Sequence, residues 1–174
     1  MASVITNVLT RVAGGVSREK HFAIFLRDHM VVSTTAVELA RRTLAENSEG
    51  ELGAFLKQLV TKLESERDTL REVARKAEVK RTMLGEAGGW LAEKAGRLKF
   101  NGRLIGYSPL SRVFELEALL LVAQQRLAFW KILDRKARVD ERLRGLAPAA
   151  HIESAEEDLR LLERYLMEAA DRTV

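Results

Sequence analysis

Between Glu78 and Tyr107 the chain reads EVKRTMLGEAGGWLAEKAGRLKFNGRLIGY. Glycines crowd this stretch at Gly85, Gly88, Gly89, Gly96, Gly102 and Gly106, so it does not continue the helical patterns that flank it. A short helix from Gly89 to Leu98 fits within it, with Trp90, Leu91 and Leu98 as its buried residues, and Phe100-Asn101-Gly102 and Gly106-Tyr107 read as turns. Neighbouring bundle helices are joined by roughly two to eight residues. A connection of about thirty is long enough to cross the length of a bundle instead.

The flanking segments are helical and no strand-like alternation occurs. The first main helix is expected over 17–46, with Ser17 as N-cap and an inner stripe of Phe22, Leu26, His29, Ser33, Ala36, Ala40 and Thr43. The second, over 48–77, opens on Ser48 and Glu51, the spacing of a capping box, and carries Leu52, Leu56, Leu59, Leu63, Glu66, Leu70, Val73 and Ala77 at core spacing. The third, over 108–144, starts at Ser108-Pro109, serine at N-cap and proline at the first helical position. It is apolar nearly all round, which predicts the most buried helix. Its inner stripe is expected to run through Leu110, Val113, Glu117, Leu120 and Gln124. The fourth, over 149–171, presents Ile152, Ala155, Leu159, Leu162, Leu166 and Ala169. The expected fold is an all-α, ferritin-like four-helix bundle with one long crossover, residues 78–107, between helices two and three. It forms a single domain, 1–174, preceded by an amphipathic segment over 1–16.

Composition narrows the function. There is no cysteine in the 174 residues, which excludes disulfides, thiol catalysis and iron–sulfur clusters within this sequence. Aromatic residues make up 6%, a poor provision for stacking on nucleic-acid bases. The net charge of +4 permits an acidic partner without demanding one. No run of about 18 apolar residues spans a membrane and no signal peptide opens the chain, so a cytoplasmic location is the expectation. Val4, Ile5, Val8, Leu9 and Val12 repeat at helical spacing, as in a helix lying on a membrane surface or docking on the bundle or on a partner subunit.

Several segments resemble a bacterial ferritin-like family without an assigned activity. They are Leu26-Arg-Asp-His-Met, Val37-Glu-Leu-Ala-Arg-Arg, Glu66-Arg-Asp-Thr-Leu-Arg, the run from Trp90 to Arg112, and Glu115-Leu-Glu-Ala-Leu. The resemblance extends over about Phe22 to Asp134. It implies a ferritin-like fold and no particular substrate.

Ferritin-like di-iron proteins use a glutamate from each of two helices and a Glu-x-x-His pair from each of the other two. The residues three before His21, His29 and His151 are Arg18, Leu26 and Pro148, so that pair is missing. No cofactor is expected on this ground. The alternative is a reduced iron or manganese site built from His29, Glu66 and Glu117, the polar residues on inner stripes. The plainer alternative is that they, with Gln124, form a polar network that sets helix register. Glu38, Glu64 and Glu115 fall towards the surface or the stripe edge.

The crossover carries six basic residues against two acidic from Lys80 to Leu104. Lys94, Arg97, Lys99 and Arg103 are the candidates for an anion or a peripheral contact with anionic lipid heads. A solvated face or pairing with the acidic last helix accounts for the same charges. No phosphate loop, nucleophile elbow or dinucleotide fingerprint occurs, and no basic helix carries base-reading residues. The expected role is that of a non-catalytic interaction or ligand-binding protein, acting by self-association or on a protein partner. Phe129, Trp130 and the N-terminal segment are the candidate contact residues.

Overall fold

In a computed structural model the backbone is described for residues 2–79 and 107–174, and side chains for 18–79 and 107–174. Among these residues the chain is helical and contains no strand. Helix α1 runs over Ala2–Glu46, α2 over Gly50–Lys76, α3 over Pro109–Ala137 and α4 over Pro148–Ala170, with one 3₁₀ turn at Glu141–Leu143. Ser17 is no cap, because α1 passes through it unbroken from Ala2.

The helices pack as two hairpins, α1 on α2 and α3 on α4, which meet mainly where α1 lies along α3. Side-chain pairs give the directions. Arg42 meets Glu115 while His29 stacks on Phe129, so α1 and α3 are antiparallel. Lys62 meets Asp158 while Arg164 approaches Glu51, so α2 and α4 are antiparallel too. Helix α3 therefore starts at the end of the bundle where α1 turns into α2. Tyr107, just before the α3 cap, accepts a hydrogen bond from Asn47 in that turn at 2.6 Å. Helix α2 ends one helix length away, about 40 Å for its 27 residues.

The start of α3 follows the sequence reading: the Ser108 hydroxyl accepts from the Ser111 backbone and Pro109 is the first helical residue. Besides Ser17, three further local expectations are corrected. Ser48 and Glu51 form no capping box. The cap of α2 is Glu49, with no side-chain bond, because the turn from α1 is too tight to leave Ser48 in the capping position. Helix α3 stops at Ala137 and not at residue 144. There Asp140 accepts from the Arg142 backbone and guanidinium, folding the charged tail into the 3₁₀ turn before Gly145 turns with φ +83°.

The third correction concerns the phase of α3. Its inner residues are Leu116, Leu119, Ala123, Arg126, Leu127, Trp130 and Leu133, whereas Glu117 and Gln124 are exposed. Nor is it the most buried helix throughout, since Leu110, Phe114, Leu121 and Ile132 are open to solvent. Phe129 and Trp130, expected at an interface, lie in the core at 4% and 1% exposure.

The core is divided into two clusters. One, near the α1–α2 turn, gathers Leu56, Leu59, Leu63, Leu116, Leu119 and Leu162 with their neighbours. The other, at the opposite end, gathers Leu26, Leu70, Val73, Phe129, Trp130 and Leu133. Along α2 the boundary falls between Leu63 and Leu70, and along α3 between Ala123 and Phe129.

The α1–α2 turn depends on two glycines for different reasons. Gly50 has φ +67°, a left-handed conformation that costs other residues roughly 1–2 kcal/mol. Gly53 has an ordinary helical position, but a Cβ there would sit 2.3 Å from the Ser48 carbonyl carbon and oxygen. Gly53→Ala is expected to cost about 2 kcal/mol or more, a fall of roughly 4–8 °C in melting temperature. Gly50→Ala should cost about half of that. Thermal unfolding of the two variants beside the parent protein checks the order.

Candidate functional site

The boundary between the two core clusters is a layer of charge. Glu66 lies on the inner face of α2, one turn from Leu63 and Leu70, which directs it inward like its apolar neighbours. Arg126 enters from α3 and Asp158 from α4. Asp158 is fully buried, and the Arg126 and Glu66 side chains are each 9% exposed.

The hydrogen bonds are dense. Arg126 Nη2 donates to Glu66 Oε1 at 2.6 Å and Nε to Oε2 at 3.0 Å. Its Nη1 and Nη2 donate to Asp158 Oδ2 at 3.1 and 3.2 Å. Trp130, one turn along α3, donates its indole N–H to Glu66 Oε2 at 2.9 Å. Lys62 Nζ donates to Asp158 Oδ1 at 2.8 Å. Every carboxylate oxygen thus has a donor, and the two anions are balanced by two cations. Burial alone would lower the pKa of Arg126, but bonding and attraction from Glu66 and then Asp158 outweigh it and raise the pKa. Lys62 is raised against burial in the same way, chiefly by Asp158.

Two histidines flank the layer. His151, in the first turns of α4, lies flat on Trp130 with ring centroids 4.0 Å apart at 13°. Its Nδ1 is 4.0 Å from Glu66 Oε1, beyond hydrogen-bond reach. Burial lowers its pKa, with Glu66 opposing and Arg126 assisting. His29 packs between Phe25 and Phe129, and its Nδ1 is 2.8 Å from the Phe25 carbonyl. A carbonyl only accepts, so the neutral ring carries its proton on Nδ1. Burial lowers the pKa of His29 as well, opposed by that bond and by Asp28.

Between α1 and this layer lies a cavity of about 30 Å³, bordered by His29, Ser33, Glu66, Gln125, Arg126 and Trp130 among others. That is room for a water molecule and too little for an organic ligand. A larger, open depression of about 580 Å³ lies at the α1–α2 end, with Glu46, Glu49, Glu51, Arg112, Glu168 and Arg172 on its walls. Asn47, Tyr107, Glu115, Arg42 and Arg112 form a hydrogen-bonded chain at this end. Burial raises the pKa of the Tyr107 hydroxyl, with the Asn47 bond opposing and Glu115 assisting.

Of the three residues considered for a metal, only Glu66 belongs to the buried layer. Glu117 faces solvent and Glu115 takes the buried place, 9% exposed and bonded to Arg42 and Tyr107. His29 is committed to the Phe25 carbonyl, and both oxygens of Glu66 are held by Arg126 and Trp130. Among the described residues no group of three His, Cys, Asp or Glu side chains is placed to hold a metal ion. Within this layer the place between the two carboxylates is filled by a guanidinium. Glu38 is exposed and Glu64 pairs with Arg41 on the surface. Lys94, Arg97, Lys99 and Arg103 lie outside the described residues. No described helix is long and apolar enough to cross a membrane.

The sequence reading overlooked Arg126, Asp158 and the roles of Trp130 and His151. The signal was present: Asp158 is three after Ala155 and four before Leu162, both core positions, and Arg126 is three after Ala123 and four before Trp130. No protein-family model, curated protein or solved structure matches this chain.

Two measurements test this layer. Arg126→Met strands two buried carboxylates and is expected to cost about 3–5 kcal/mol. Changing Glu66, Arg126 and Asp158 together to Leu, Met and Leu should cost far less, or stabilise. Denaturant titration of both variants compares them. The histidines predict a pH effect of fixed sign. Both pKa values are lowered from 6.5 on folding, so their contribution is complete above the unfolded value and lost as the pH falls below it. Melting temperature should drop between pH 7 and 5, and less steeply in His151→Phe, which keeps a ring on Trp130.

Proposed function

We propose that this chain is a ferritin-like bundle closed at its centre by ion pairs in place of a metal centre, and that it works through its surface as a non-catalytic interaction protein. The observation that carries the reading is the occupancy of Glu66 and Asp158 by Arg126, Lys62 and Trp130. A di-metal site needs carboxylates from several helices with oxygens free to coordinate. Here the carboxylates come from two helices and their oxygens are occupied by the protein's own donors. The placement of the helix ends supports the ferritin-like reading, because α2 ends and α3 begins at opposite ends of the bundle, as in the variant with one long crossover.

The charge layer also bears on catalysis. The groups most available for proton transfer, His29 and His151, are half-buried and stacked on aromatic rings, and the adjoining cavity admits no organic substrate. What remains is surface, where Leu110, Phe114 and Leu121 of α3 are exposed.

Anaerobic titration with Fe(II) and Mn(II), followed by metal analysis after desalting, tests the closed interior. The expected result is no stoichiometric retention at micromolar metal. Retention of one or two ions per chain, lost in the Glu66→Ala, Asp158→Ala double variant, would overturn it.

A further inference from the structure

Helix α3 carries more apolar surface than the core uses. From its first turn Leu110, Phe114, Glu117, Leu121, Gln124 and Ala128 follow at alternating steps of four and three, and all are exposed. The row ends on Lys131 and Arg135, also exposed. Leu121 is 68% exposed and Phe114 54%. Single exposed apolar residues need no explanation. The row has the spacing of the seam along which two helices pack, with Leu110, Phe114, Leu121 and Ala128 as its apolar members and Glu117 and Gln124 between them, and it lies on the side of α3 turned away from its own core.

We propose that this row is the contact surface for a second copy of the chain, with α3 packed antiparallel on α3 about a two-fold axis. The proposal rests on the reading that the bundle works through its surface. Charge selects both the occupant and the direction. Glu117 lies in the N-terminal half of the row, and Lys131 and Arg135 in the C-terminal half. A parallel pair sets like charges together. An antiparallel pair sets the acidic half of one protomer on the basic half of the other, twice over by symmetry. Pairing the row with itself about the midpoint between Leu121 and Gln124 places Phe114 against the second copy's Lys131. Glu117 then lies one turn from the same ammonium. Within its own chain Lys131 pairs with Glu156 at 2.9 Å, both about half exposed. Such a pair is weak and exchangeable.

Sedimentation of the full chain from about 1 to 100 µM is expected to show twice the 19.6 kDa of one chain. Leu121→Glu should return it to the single-chain mass, with a melting temperature that no longer rises with protein concentration as the parent's does, since that side chain leaves the core untouched. Glu117→Lys should weaken the dimer about tenfold, and the double variant with Lys131→Glu should restore it. A single-chain mass across the whole range overturns the proposal, as does a dimer that survives both Leu121→Glu and Phe114→Glu. If either of these unfolds the chain, the exchange of charge between positions 117 and 131 decides: failure to weaken and restore the dimer is equally fatal. None of these positions touches Glu66 or Asp158. A monomer that retains no metal therefore overturns the dimer alone, and a dimer that retains iron overturns the closed interior alone.

Discussion

The guanidinium of Arg126, held between Glu66 and Asp158, is the constraint around which the bundle is arranged. Taking ions of this size out of water costs several kcal/mol each, recovered only when the geometry satisfies every donor and acceptor. That requirement reaches across three helices at once. Arg126 on α3 must meet Glu66 on α2 and Asp158 on α4 at the same level, and Lys62 must cover the remaining oxygen of Asp158. A slip of one turn by any of the three strands a buried charge. Apolar packing alone tolerates such slips far better, because leucines interchange with small loss.

The same layer explains why the core is in two pieces. Leucine and alanine dominate the end near the α1–α2 turn, and the other end holds a connected aromatic group of Phe25, His29, Phe129, Trp130 and His151, in which Trp130 meets Phe129 edge-on. Trp130 belongs to both regions: its ring packs with the aromatic cluster while its N–H completes the shell of Glu66. The position between the carboxylates, where a cation is required, is filled from within the chain. That filled position is the observation on which the proposed surface role rests.

Much of this was legible beforehand. The inner stripes of α1, α2 and α4 were readable because polar residues on their outer faces give the apolar ones a phase. Leu26, Ala36, Ala40 and Thr43 on α1 and Leu56, Leu59, Leu63, Glu66 and Leu70 on α2 are all buried as their spacing implied. Helix α3 offered no such phase. It is apolar on two sides, so the stripe through Val113, Glu117, Leu120 and Gln124 was read as inward and Glu115 as a stripe-edge residue, one residue out of register with the buried stripe through Leu116, Leu119 and Ala123. The capping box at Ser48 failed for a different reason. The three-residue turn and the close approach of Gly53 to Ser48 set the path of the chain before a side-chain hydroxyl could.

By itself, then, the amino-acid order determined the helical class, the stripes of three helices, the start of α3 at Ser108-Pro109 and the inward direction of Glu66. These follow from periodicity and capping, which act within a turn or two of the chain. Only the tertiary structure decided what Glu66 faces. Arg126 and Asp158 stand 60 and 92 positions further along, and periodicity assigns a side chain to a face without assigning that face a neighbour. A buried charge is stable only beside its counter-charge, and that meeting is made by how the helices pack.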